Sequence, residues 1–149
     1  YFVLAGTSID YFNTALLEWI DKFNLRSSFR LLGRRDDIYR IYTALDLYLS
    51  PSHGEGFPNS IAEAMSCGVP CIATNVGDCK QIIDNDALIS EVDDLKDLIS
   101  KALIALRWDD DELNKQRLLA RYKIKQFYSL EGVKDKYEEF YKNLIKNDF

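Results

Sequence analysis

The sequence predicts an α/β fold, a parallel sheet with helices on both faces, followed by a helical C-terminal segment. Three observations carry this. Short continuous apolar runs at residues 1–5, 47–49 and 69–73 have strand length and suit burial on both faces. Between them lie segments whose apolar residues recur at helical spacing, and strands alternating with helices imply parallel pairing. From Asp93 onward the chain reads as helix after helix, each opening with acidic or polar residues.

The first strand, Tyr1 to Ala5, is stopped by Gly6. Asp10 is expected to cap a helix carrying Phe12, Leu16, Leu17, Ile20 and Phe23 on one face. A second strand, near 28–32, ends at Gly33, and Asp36 or Asp37 is expected to cap a helix with Ile38, Ile41, Tyr42 and Leu45. Leu47 to Leu49 make a third strand, closed by Ser50 and Pro51. A loop from Ser52 to Asn59 leads into a short helix at 60–67, which Gly68 terminates. Val69 to Ala73 is the fourth strand; a helix at Cys79–Asp84 and a short strand at Ala87–Ile89 follow. Helices near 93–107, 110–127 and 131–146 complete the chain, and the acidic run Asp109–Glu112 reads as a helix start, not a metal site. Ligands bind such sheets beyond the carboxyl ends of the strands, so loops 6–10, 33–37, 50–59 and 74–78 form the candidate rim.

With 149 residues the chain fits one domain of ~100–200 residues, taken as 1–149 with 93–149 as its helical segment. Nineteen Lys and Arg against 24 Asp and Glu leave a net charge of −5, which argues against a nucleic-acid partner. No apolar run reaches the ~18–20 residues of a membrane-spanning helix. Cys67, Cys71 and Cys79 are odd in number and form no C-x-x-C pair, so free thiols and a reducing, cytoplasmic setting are expected. There is neither an initiating Met nor a signal peptide, and Tyr1 opens inside a strand; a piece of a longer protein is expected.

The chemistry concentrates in Ser50-Pro51-Ser52-His53-Gly54-Glu55-Gly56-Phe57-Pro58-Asn59-Ser60-Ile61-Ala62-Glu63-Ala64-Met65. This is a strand end, a glycine-bearing loop and a helix start. Gly54 and Gly56 let backbone approach a ligand closely, and free amides around Asn59–Ala62 with the positive helix end make a site suited to a diphosphate. Glu55 and Glu63 can accept hydrogen bonds from sugar hydroxyls nearby.

Here the sequence resembles the retaining GT-B glycosyltransferases of family 4, also called group 1. Glu55 and Glu63 stand as the E-x7-E motif, set within E-G-F-P-N-S-I-A-E-A-M and followed by C-G-V-P-C-I-A-T and N-V-G-D. R-L-L-G and D-I-Y-R-I-Y-T-A-L-D-L-Y-L-S-P-S precede it in the family's order, and the likeness spans about residues 1–90. The resemblance implies the Rossmann-like C-terminal half of a GT-B fold, which binds a nucleotide diphospho-sugar, UDP before GDP, with no cofactor and no metal. It implies that Glu63 holds the ribose hydroxyls and that Glu55, the catalytic candidate, contacts the transferred sugar. The amides of Phe57, Asn59 and Ser60, in the segment Gly56-Phe57-Pro58-Asn59-Ser60, would face sugar and phosphates, Arg34 would begin the loop packing on the base, and His53 would stand beside the donor. The acceptor would be a glycan or a lipid-linked sugar in polysaccharide assembly, with peripheral membrane association of the parent protein.

The chain departs from the family pattern at its start. The resemblance implies a donor domain that opens with one more strand, at the middle of the order 3-2-1-4-5-6, and a Lys-Gly loop; these and the acceptor-binding domain are expected to lie outside the present sequence. The fragment alone is therefore expected to be inactive. Plainer readings stand beside these. Ser60-Ile61-Ala62-Glu63 fits a capping box; Glu55 and His53 fit a solvated loop; Arg34 and Arg35 fit surface ion pairs with Asp36 and Asp37. His53-x-Glu55 with Pro70-Cys71 lacks the cysteine spacing of a zinc deaminase. Val133, Tyr137, Phe140, Tyr141, Leu144 and Ile145 form a stripe that reads as a packing face, or as a site of self-association when uncovered. The rival functions are a GT-B sugar-nucleotide epimerase or phosphorylase and a non-catalytic flavodoxin-like module.

Overall fold

A computed structural model describes residues 1–147 and resolves the chain into two compact units, residues 1–38 and residues 39 onward. In the first unit, β1 (Phe2–Leu4) pairs in parallel with β2 (Phe29–Leu31), Phe2 opposite Phe29 and Leu4 opposite Leu31. The crossover carries α1 (Thr14–Lys22). Its cap is Asn13, whose side chain accepts from the Leu16 N–H at 3.0 Å, not Asp10. Asp10 instead accepts from the Phe12 N–H at 2.8 Å, a local turn that delays the helix and leaves Phe12 exposed. Of the expected apolar face only Ile20 is fully buried.

α2 (Ile38–Tyr42) begins at the last residue of the first unit, and the second unit holds a three-stranded parallel sheet, β3 (Tyr48–Ser50), β4 (Cys71–Thr74) and β5 (Ile89–Ser90), in the order β3-β4-β5. Between the strands run α3 (Asn59–Ser66) and α4 (Cys79–Ile83), and α5 (Leu95–Ala105), α6 (Asp110–Phe127) and α7 (Leu130–Asn147) close the chain. Successive strand residues point to opposite faces, and all four residues of β4 are buried, so this sheet is covered on both sides. Packed against β4 are α3, α4 and α5; α6 lies on α3 and α4. The core is built from Ile61, Val69, Ile72 and Ile82, each at most 2% exposed.

Local chemistry fixes the ends of these elements. After α3, Gly68 adopts φ +78°, its N–H donates to the Met65 carbonyl at 2.9 Å, and the Val69 N–H donates to Ala64 at 3.0 Å. This paired closure turns the chain directly into β4. Asp94 caps α5 and Asp109 caps α6, so the acidic run is a helix start. Cys67 is half-buried, Cys71 and Cys79 are buried, and all three are free.

The single predicted sheet is two ladders, β1-β2 and β3-β4-β5, with none joining β1 to β3 among the described residues. β5 begins two residues later than predicted, because residues 86–88 form a 3-10 turn held by the Asn85 side chain accepting from the Ala87 N–H. Among the described residues no helix is long and apolar enough to cross a membrane. On α7, Tyr137, Phe140, Tyr141, Leu144 and Ile145 are all exposed, so the aromatic stripe is uncovered in this chain.

Candidate functional site

The Glu55 loop rises from the carboxyl ends of two neighbouring strands. Ser50 ends β3, Thr74 ends β4, and both are buried. Thr74 Oγ1 donates to the Ser52 carbonyl and, at 3.4 Å, to the Ser50 carbonyl, which ties the loop's first residues to the sheet. Ser52 Oγ then donates to Glu55 Oε1 at 2.8 Å.

The turn at 75–78 forms the opposite wall. Gly77 has φ +49°, and a Cβ there would stand 2.3 Å from the Gly56 carbonyl oxygen and 2.4 Å from that of Glu55. No side chain fits, which accounts for the glycine of N-V-G-D. The Asp78 N–H donates to the Gly56 carbonyl at 3.1 Å. With these carbonyls engaged against the turn, the loop's donors are left over. Among the described residues, the backbone N–H groups of Gly54, Glu55, Gly56, Phe57 and Ser60 have no acceptor in the protein. A run of unpaired N–H groups leading into a helix N-terminus suits an anion. A Cβ on Gly54 or Gly56 would meet nothing within 4 Å, so the chain's own packing does not require glycine at either position.

Helix α3 starts at Asn59, one residue earlier than predicted, after the buried Pro58. The Pro58 carbonyl accepts from Ile61 and Ala62, and the Asn59 N–H donates to the Phe57 carbonyl at 3.0 Å. Those three amides are therefore occupied, contrary to the expectation of free donors across Asn59–Ala62; the open ones are those of Phe57 and Ser60. The capping box does not form either. Ser60 lies inside the first turn, not ahead of it, and its side chain hydrogen-bonds with the Tyr48 hydroxyl. Glu63 is exposed and accepts from the Tyr42 hydroxyl at 3.4 Å through Oε2. Burial first, then the neighbouring Tyr48 and Glu63, pushes the Tyr42 hydroxyl well above its ordinary range, and burial raises Tyr48 too. Both tyrosines remain protonated partners beneath α3.

His53 is exposed, with Nδ1 3.4 Å from Asp93 Oδ1. It borders a cavity of about 330 Å3 shared with Thr74, Glu91, Asp94 and Leu98. The Phe57 ring leans on Tyr128, centroids 5.8 Å apart. A second cavity, about 280 Å3, opens at the amino end of β4 beside Pro70, Met65, Phe127 and Lys123 and holds none of the predicted site residues. Arg34 is exposed on the loop after β2, in the first unit, while the other predicted residues belong to the second. Its neighbour Arg35 forms a two-pronged ion pair with Asp37. Among the described residues, no three His, Cys, Asp or Glu side chains converge to hold a metal ion. The sequence does not single out Ser52, Thr74 or Tyr42, because the contacts that give them meaning join Thr74 of β4 to the loop after β3 and Tyr42 of α2 to Glu63 of α3; Gly77 is visible within its motif without its reason.

Residues 1–107 match the family model "Glycosyl transferases group 1". An Escherichia coli UDP-Gal:alpha-D-GlcNAc-diphosphoundecaprenol alpha-1,3-galactosyltransferase is 32% identical over 148 residues, covering 98% of this chain and 38% of that protein. A Campylobacter jejuni N,N'-diacetylbacillosaminyl-diphospho-undecaprenol alpha-1,3-N-acetylgalactosaminyltransferase is 29% identical, with the same coverage of 98% and 38%. The chain thus spans about two fifths of the length of these curated relatives. Among solved structures, a glycosyltransferase from Rickettsia africae superposes with a TM-score of 0.84 at 25% identity, over 99% of this chain and 40% of that one. Anabaena HepE, solved with UDP, shares the fold with a TM-score of 0.81 at 22% identity, over 95% and 40%.

Proposed function

The chain belongs to the group 1 glycosyl transferases, and from that premise we propose that it is the donor-binding half of a retaining enzyme using a UDP-sugar. The observation that carries the reading is the run of open amides from Gly54 to Phe57, continued at Ser60, in the segment that also carries Glu55 and Glu63. The amides take the diphosphate, where stabilising the departing anion is the main electrostatic task. Glu63, braced by Tyr42, takes the ribose hydroxyls; Glu55 contacts the transferred sugar; His53 stands at the sugar side. Neither metal nor cofactor enters this scheme. The relative named for UDP-Gal supports uridine, and the α-1,3 linkages in two relatives' names accord with retention. Those relatives' diphosphoundecaprenol acceptors support a lipid-linked sugar as acceptor, held by a separate acceptor-binding domain, in a cytoplasmic enzyme that works at the membrane. Alone, this chain would bind donor and not turn over.

Calorimetric titration with UDP, UDP-sugars and GDP tests this. Uridine-selective binding, weakened roughly tenfold or more by Glu63→Ala, is expected, since a charged hydrogen-bond partner is lost. Equal binding of GDP, or an inert Glu63→Ala, contradicts it.

A further inference from the structure

The Glu55 carboxylate is held by a chain of hydroxyls that begins in the sheet. Ser50 Oγ lies 3.3 Å from Ser52 Oγ, and Ser52 Oγ lies 2.8 Å from Glu55 Oε1. An ionised carboxylate only accepts, so the single Ser52 proton points to Glu55 and the Ser50 hydroxyl must donate to Ser52. Both bonds then run in one direction, toward the carboxylate, and each polarises the next. Ser52 is itself fixed, because Thr74 Oγ1 donates to its carbonyl from the buried end of β4. The outer end of the chain is exposed: Glu55 has Oε1 occupied, and Oε2 has no partner among the described residues.

We propose that Ser52, anchored by Thr74 and Ser50, is a positioning residue that holds Glu55 with one oxygen engaged and the other presented to a hydroxyl of the donor sugar. This rests on the reading of Glu55 as the sugar contact, and it deepens that reading by assigning what orients the carboxylate. A glutamate on a glycine-flanked loop has three rotatable bonds, and without Ser52 it would order them only on binding. Glu55 and Ser52 therefore act as a unit on the sugar and not on the nucleotide.

The experiment compares the chain's affinity for UDP with its affinity for UDP-glucose, UDP-galactose and UDP-N-acetylglucosamine. The quantity read is the increment that the preferred sugar adds over UDP. Ser52→Ala is expected to remove that increment, a loss of roughly tenfold in UDP-sugar affinity with UDP unchanged. Ser52→Thr, which keeps the hydroxyl, restores it; in a Glu55→Ala background Ser52→Ala adds nothing further. Thr74→Val, which loosens the anchor while keeping its shape, removes part of it. An increment that survives Ser52→Ala overturns the role of Ser52 and leaves that of Glu55 standing. UDP and UDP-sugar weakened alike also overturn it, since the serine would then only shape the loop. A native chain that gains nothing from any sugar contradicts the reading of Glu55 instead. In that case the Glu55 side-chain carboxyl chemical shift, recorded without ligand, decides the bond: a shift unmoved by Ser52→Ala overturns it.

Discussion

The two ladders of this chain are built alike and covered differently. In β1-β2, three-residue strands pair in register, and of their six residues only Leu31 is buried. In β3-β4-β5, every residue of β4 and β5 is buried, under α3, α4 and α5. The same parallel pairing thus yields a solvated pair in one unit and a closed core in the other. The difference bears on function, because a strand end can aim a loop only as rigidly as the strand is held. Ser50 and Thr74 are buried strand ends, and they place Ser52 and, through it, Glu55.

The sharpest way to break the comparison is to remove the same kind of atom from each ladder. Ile72→Ala in β4 empties a fully enclosed site and is expected to cost about 3 kcal/mol, whereas Val3→Ala in half-buried β1 costs about 1 kcal/mol or less. Urea unfolding of both variants measures this, and equal losses would mean that the two ladders are equally covered. Hydrogen exchange extends the test: amides of β4 should exchange only through global opening, those of β2 through cheaper local opening.

A smaller effect separates two glycines of one motif region. Gly77→Ala forces a Cβ into the Glu55 and Gly56 carbonyls at positive φ and should cost about 2 kcal/mol. Gly54→Ala meets open space and should change stability by less than about 0.5 kcal/mol. Its cost would appear in UDP affinity, where the ligand approaches. Thermal melts of the two variants, beside a UDP titration of Gly54→Ala, check the pair.

The smallest effect is a pH dependence in the covered unit. A hydrogen bond from Lys101, then one from Ser90, holds the Asp97 carboxyl below its ordinary range. A lowered folded-state pKa contributes stability above the unfolded carboxylate value, and that contribution is lost as pH falls through the folded one. Acid unfolding of the native chain, followed by circular dichroism below about pH 4, should therefore include a component that Asp97→Asn lacks.

Much of this was legible in the sequence where local chemistry decides. Gly68 closes α3, Asp109 opens α6, and the apolar run around Ile72 is a strand buried on both faces. What escaped depended on competition between neighbours. Asp10 and Asn13 are both capping residues, and the choice fell to the one whose side chain reaches Leu16. Ser60 and Glu63 have capping-box spacing, yet Pro58 moves the helix start back so that Ser60 falls inside it. Tyr48 and Tyr42, which the sequence offers only as apolar residues, then take up both side chains. The motif glutamates could be named from their order along the chain. Their supports, Ser52, Thr74 and Tyr42, depend on pairing across β3 and β4 and on packing under α3, which no spacing in the sequence encodes.

In the proposed function, the amides of the Glu55 loop and the start of α3 receive the diphosphate of a uridine nucleotide. The most direct measurement is an amide-resolved NMR titration of the chain with UDP. Saturable shifts centred on Gly54, Glu55, Gly56, Phe57 and Ser60 are expected, with the buried amides of β4 little moved. Shifts centred instead on the cavity beside Pro70 and Lys123, or no shifts in a folded chain at millimolar UDP, would contradict it.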